Sequence, residues 1–163
     1  MQKNRGFTLI EMVVVMVILG ILAAVALPKF VNMTGQARVA KMQGAVGAVQ
    51  SAITLIHAKY LAQGSPSVTS GQTIAYEGGT LSLVVADGDM LNGYPAAGAF
   101  GNGGTDPNLA GLDGSFTVTV GTGVVTIADK DTSTCSFTVT NSTGAGSPPV
   151  VSTTNLTVAN CGG

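Results

Sequence analysis

Glu11 is the residue of this chain whose setting calls for chemistry. It stands at the head of a run from Met12 to Leu27 (MVVVMVILGILAAVAL) that contains no charged residue. A carboxylate placed in hydrocarbon costs about 3 kcal/mol unless it is paired or protonated, so the chemistry implied is ion pairing rather than catalysis. Other candidates are weaker. His57 is the only histidine and reads as a helix surface residue. Asp87-Gly88-Asp89 followed by Asn92 and Gly93 hints at calcium, but position five of an EF-hand loop would be Leu91 and the terminal Glu is missing, so the segment reads as a turn. Asn141-Ser142-Thr143 and Asn155-Leu156-Thr157 match glycosylation sequons and read as incidental. No Ser/His/Asp set and no phosphate loop stands out, and two cysteines with one histidine cannot supply a zinc set. No catalytic residue, metal or cofactor is expected.

The elements that must position Glu11 follow from composition. Of 163 residues, 45% are hydrophobic and only 9% charged, with a net charge of -1. There is no electrostatic footprint for phosphate, so no nucleic-acid partner is expected. Charge divides the chain near Gly64. The basic residues Lys3, Arg5, Lys29, Arg38, Lys41 and Lys59 precede it, whereas every acid except Glu11 follows it. Most of the 23 glycines also lie from Gly64 onward, with no Gly-X-Y period. Two physically different segments meet there.

Lys3 and Arg5 lead into an apolar stretch whose 21 residues from Phe7 to Leu27 rise roughly 31 Å as a helix, enough to span a bilayer with the basic leader left in the cytoplasm. Two readings fit. One is a retained transmembrane helix. The other is a secretory signal cut after Ala24-Val25-Ala26, for which Glu11 would have no use.

Gly6-Phe7-Thr8-Leu9-Ile10-Glu11 (GFTLIE), between a short basic leader and a long apolar run, closely resembles the processing motif of the type IV pilin family. The resemblance implies removal of a leader, residues 1–6, by a prepilin peptidase and methyltransferase that cuts between Gly6 and Phe7 and methylates Phe7. It also implies a single-pass precursor in the inner membrane, N-terminus cytoplasmic, and then an extracellular pilus. Its partners would be identical subunits in a helical homopolymer, the inner-membrane assembly platform with its ATPase, and an outer-membrane secretin. The family's Gly and Pro are matched by Gly20 and Pro28, where a kink is expected and where the helix can melt in filaments. Phe30 to Gly64 and Asn92-Gly93-Tyr94-Pro95 look like the mannose-sensitive haemagglutinin branch.

The pairing logic stands beside the name. A cut after Gly6 leaves a cationic amine on Phe7, four residues from Glu11. In staggered identical helices the amine of one meets the carboxylate of the next, and such a head-to-tail contact propagates into a filament rather than closing a ring.

An α+β fold is expected, with a long N-terminal helix over 7–63 packed on a C-terminal antiparallel sheet. Residues 7–27 form its transmembrane or filament-core half and 28–63 its amphipathic half. There Val39, Met42, Val46, Val49, Ile53, Ile56 and Tyr60 recur at helical spacing, a stripe suited to lie on a sheet. Ala45, Ala48 and Ala52 beside it keep the helix slim for neighbouring helices. From 64 to 163 a β-rich head is expected, with strands at Thr73–Tyr76, Leu81–Ala86, Phe116–Val120, Val124–Ala128, Ser136–Thr140 and Val150–Val158, and a long surface loop from Asp87 to Gly114. In an exported head, Cys135 and Cys161 pair and close a C-terminal loop of about 25 residues, worth about 3 to 4 kcal/mol.

The function expected is that of a structural filament subunit for adhesion, surface attachment or motility. The alternatives are a pseudopilin of a type II secretion system, a minor pilin, and a soluble secreted protein beginning at Leu27.

Overall fold

The computed structural model describes residues 7–65, 73–76, 79–82, 90–101, 108–144 and 146–162, with the side chains at 28–32 and 82 left aside. Helix α1 (Leu9–Ala62) is followed by β1 (Thr73–Tyr76), β2 (Gly79–Ser82), β3 (Met90–Leu91), β4 (Tyr94–Pro95), a 3-10 turn at Ala97–Ala99, β5 (Phe116–Gly121), β6 (Val124–Asp129), β7 (Ser136–Thr140) and β8 (Val150–Ser152). Strands β5-β6-β7-β8 form one antiparallel sheet in sequence order, while β1-β2 and β3-β4 are separate hairpins. The fold is the expected α+β arrangement of a helix on an antiparallel head.

The helical stripe does what its period implies. Met42, Val49, Ile53 and Ile56 are buried, with Val39, Val46 and Tyr60 packed at the margins. Facing them from the sheet are Val125, Ile127, Phe137 and Val139, at alternating positions of β6 and β7. The other parity puts Thr119, Thr126, Thr138 and Ser152 in one row across all four strands, on the face away from the helix. Ala45 and Ala52 are buried against the head of the same chain, so their small side chains admit this chain's own core rather than a neighbouring helix.

Three segments differ from the sequence expectation. The strand expected at Leu81–Ala86 is β2, which begins two residues earlier at Gly79 and is described to Ser82; 83–86 lie outside the described residues. Strand β8 ends at Ser152, where Thr153 accepts from Leu156 and opens a series of turns to Cys161. The stretch expected as a surface loop from Asp87 to Gly114 instead delivers Met90, Ala96, Ala97, Ala99, Phe100 and Leu112 to the core. Two asparagine side chains hold the described part of its backbone. Asn108 closes a turn by donating to the Leu112 carbonyl at 2.7 Å and accepting its amide at 2.9 Å, and the Asn141 carboxamide oxygen accepts the Ala97 amide at 2.6 Å. The first sequon therefore serves the fold.

Asn92 (φ 54°) and Gly93 (φ 83°) turn β3 into β4 with both central residues left-handed. Gly93 also meets α1: a Cβ there would lie 2.7 Å from Cε1 of Tyr60. Its carbonyl bonds to Nδ1 of His57 at 2.9 Å, and the His57 ring stacks on Tyr94 with centroids 3.9 Å apart. His57 is thus a half-buried docking residue, not the plain surface residue expected. Gly93→Ala adds both left-handed strain and a clash, so it is expected to destabilise the head by about 2 to 3 kcal/mol. Thermal unfolding of the two proteins, matched in all else, checks this; equal midpoints would refute it.

Candidate assembly interface

Among the described residues nothing packs on the apolar half of α1. From Leu9 to Leu27 the helix is long and apolar enough to cross a membrane, and none of that span is buried within the chain. Phe7, Leu9, Ile10 and every large apolar side chain from Met12 to Leu27 are about half exposed or more. Leaving them in water would forfeit on the order of 20 kcal/mol, taking about 1.5 kcal/mol for each. This half-helix therefore requires lipid or protein cover that the subunit itself does not provide. Helix α1 runs without interruption through Gly20 and Pro28, and a Cβ at Gly20 would meet nothing within 4 Å.

Glu11 sits in the first turn, where a reciprocal cap holds it. Thr8 is the N-cap, with extended backbone (φ -82°, ψ 153°), and its hydroxyl oxygen accepts the Glu11 amide at 3.4 Å. In return Oε2 of Glu11 accepts the Thr8 amide at 2.7 Å and the Thr8 hydroxyl at 2.8 Å. This is a capping box. It leaves Phe7 outside the helix and 82% exposed, immediately before the cap. Phe7 and Glu11 are therefore brought to one helix end, while Gly6 lies outside the described residues. The sequence expectations missed Thr8, although the Thr-x-x-Glu spacing of a capping box stands in the sequence.

At the other end of the molecule the head is locked to α1 by charge, an arrangement the sequence expectations missed. Asp129, 2% exposed, accepts Nζ of Lys41 at 2.7 Å, with Nε of Arg38 at 4.0 Å. Lys41 also donates to the Ser115 carbonyl at 2.9 Å and stands 4.8 Å over the Phe116 ring. Arg38 donates to the Cys161 carbonyl at 3.2 Å. Cys135 and Cys161 are joined, both fully buried, so the C-terminal loop is tied to the foot of β7.

Burial alone would raise the Asp129 carboxyl, but the Lys41 hydrogen bond, the Asp131 amide and the charges of Lys41 and Arg38 outweigh it and hold the group below its ordinary value. The folded chain therefore binds this proton less readily than the unfolded one. The stability Asp129 contributes is complete above about pH 4 and is lost as pH falls through its lower folded value. Asp129→Asn should accordingly be about 2 kcal/mol less stable than wild type at pH 7, with the gap closing in strong acid as pH falls through the lowered folded value. Denaturant melts at the two pH values decide it; a gap that persists in acid would assign the loss to packing.

Residues 1–27 match the family model for the prokaryotic N-terminal methylation motif. Over 82 residues the chain is 46% identical to the type IV narrow pilus major component PilA5 of Thermus thermophilus, covering 50% of this chain and 67% of that protein. It is 41% identical over 50 residues to the type IV major fimbrial protein FimA of Dichelobacter nodosus, or 31% of this chain and 32% of that one. It is 43% identical over 54 residues to the type II secretion system core protein G of Pseudomonas aeruginosa, or 33% and 38%. The latter two matches span only about a third of each relative's length. No solved structure matches. A methylation motif on an exposed apolar helix, an antiparallel head beneath it, and a match across two thirds of the Thermus pilin together place this chain in the type IV pilin family.

Proposed function

We propose that the chain is the structural subunit of a type IV pilus, secreted across the envelope by polymerisation and serving surface attachment or motility. The observation that carries this reading is the apolar half-helix, wholly uncovered in the subunit and headed by a single acid. Lipid covers it first, in an inner-membrane precursor with the basic leader in the cytoplasm. Neighbouring copies cover it afterwards, in the shaft.

The route requires a cut between Gly6 and Phe7, N-methylation of Phe7, and transfer by an assembly platform and ATPase through a secretin. In the filament the Phe7 ammonium of one copy meets Glu11 of another. Between Gly20 and Pro28 the helix is weakest, because Gly and Pro cost about 1 and 3 kcal/mol in a helix interior, so this stretch gives way when the packed shaft strains it. Likeness at Phe30 to Gly64 and at Asn92-Gly93-Tyr94-Pro95 favours the mannose-sensitive haemagglutinin branch, and with it attachment.

The secretion-system relative keeps a second reading in view: a short periplasmic pseudopilus built on the same helix. Mass spectrometry of the mature protein, joined to electron microscopy of sheared surface fibres, separates the cases. A methylated Phe7 start in peptides from long surface fibres is expected. A Leu27 start would end the filament reading, and a methylated Phe7 without surface fibres would favour the pseudopilus.

A further inference from the structure

A cavity of about 480 Å³ lies between the last turns of α1, the end of β1 and the turn at 109–111. Leu55 and Ile56 line it from the helix, with Leu109 and Ala110 contributed by the turn. Leu55 is 64% exposed although it belongs to the head half of α1. The space exists because the turn offers small residues to the helix. A Cβ at Gly111 would meet nothing within 4 Å. The volume is that of a small-molecule site, typically about 300 to 1,000 Å³, rather than of a packing defect.

Polarity enters from one side only, through Lys59 and Tyr76. Nζ of Lys59 donates to the carbonyl of Ala75, the residue before Tyr76, at 3.0 Å. An ammonium carries three donors, so two remain. Among the described residues no carboxylate pairs with Lys59, and no hydrogen bond reaches the Tyr76 hydroxyl. Arg38 and Lys41, by contrast, are both committed to Asp129. The cavity therefore offers an unpaired positive charge and a free hydroxyl beside a wall of aliphatic side chains.

We propose that this cavity binds an amphiphilic carboxylate, with its aliphatic chain along Leu55, Ile56 and Leu109 and its head on Lys59 and Tyr76. The charge selects an anion, and a carboxylate has one oxygen for the ammonium and one for the phenol. A sugar would set ring hydroxyls against leucine and isoleucine, where they find no partners. An aliphatic chain there covers the exposed Leu55 instead. The ion pair lies near solvent, so binding weakens as salt is raised. The site is independent of the filament reading, since none of its residues belongs to the apolar half of α1.

The test uses the full-length protein in nanodiscs of zwitterionic phosphatidylcholine, photolabelled with a decanoate that carries a diazirine in its chain. Adducts are located by peptide mass spectrometry. The apolar half of α1 takes up aliphatic chains of any kind, so only adducts at 55–56 and 109–110 are read. They are expected there, displaced by plain decanoate and not by decanol. Lys59→Gln keeps a donor for the Ala75 carbonyl but loses the charge, and is expected to lower labelling at the site about tenfold. Lys59→Arg keeps both and is expected within about threefold of wild type. Ala110→Phe fills the cavity and is expected to abolish the adducts; should it also lower the thermal midpoint, the two Lys59 variants decide alone.

Labelling confined to 7–27 overturns the proposal, as does equal displacement by decanol or full labelling of Lys59→Gln. With a photoactivatable leucine at position 55, a cross-link to a second copy of the chain would assign the cavity to self-association and also overturn it. None of these outcomes bears on the pairing of Phe7 with Glu11.

Discussion

Glu11→Ala is expected to be made, cut and folded normally, and yet to yield at most a tenth of the wild-type surface fibre. The substitution removes the one charge between Phe7 and Leu27, which makes insertion of the apolar span easier by about 2 to 3 kcal/mol. Failure to reach the membrane therefore cannot explain a loss. Nor can damage to the head, whose contacts with Arg38 and Val39 of α1 lie roughly 40 Å further along the helix. What remains is the cost of a Phe7 ammonium drawn into the shaft without its partner. Leaving one member of a buried pair uncompensated costs about 3 to 5 kcal/mol, more than a hundredfold in a contact that every added subunit must make. Glu11→Gln keeps an acceptor for the Thr8 donors but not the charge, so it should fall between Ala and wild type. Fibre sheared from cells and compared with processed subunit in the membrane is the measurement. Wild-type yield from the Ala variant would sink the pairing.

The long elements were legible because their signals are periodic and local. Seven apolar residues at alternating spacings of three and four, from Val39 to Tyr60, set which face of α1 is buried, and the structure buries that face. The alternation in Val124–Asp129 and Ser136–Thr140 fixed the sheet in the same way. Legibility failed where a segment is rich in Gly and Ala yet buried. Ala96, Ala97, Ala99 and Phe100 carry little periodicity, and their burial is decided by the space left between α1 and the sheet, which no local pattern encodes. The β3-β4 hairpin had a readable signal in Asn92-Gly93 between apolar pairs, but two-residue strands fall below the length that alternation can reveal.

At the candidate site, Glu11 was conspicuous because one acid in an apolar run violates a strong rule. Thr8 was not, because a threonine before a helix violates none. The Lys41–Asp129 pair spans 88 positions of sequence. Only the docking of α1 on β6 brings it together, and nothing along the chain announces such a contact.

Removing the disulfide through Cys135→Ser with Cys161→Ser is expected to cost the head about 3 to 4 kcal/mol from loop closure alone, lowering its thermal midpoint by roughly 15 °C for a head of about 100 residues. The loss should not stop at entropy. The backbone beyond β8 is otherwise held by few bonds: the Arg38 donation to the Cys161 carbonyl, the Thr134 hydroxyl on the Asn160 carbonyl, and Asn155 on Ser136 at 3.5 Å. When the cross-link goes, the Arg38 bond goes with the freed loop, and a hydroxyl replaces each fully buried sulfur in an apolar cluster. Lys41 remains on Asp129, since that contact depends on β6 and α1 rather than on the tail. The double variant should thus keep the sheet and the helix stripe but show rapid amide exchange from Thr153 to Gly162, with protection retained in β5, β6 and β7. In the wild type, sulfurs with no exposure should resist dithiol reductants until the head itself opens, so that reduction follows the unfolding rate rather than reductant concentration. A double variant that melts with the wild type, or a wild-type bridge reduced in the native state, would show that the cross-link contributes little to the head. The stability would then have to come from the contacts of α1 with the sheet alone.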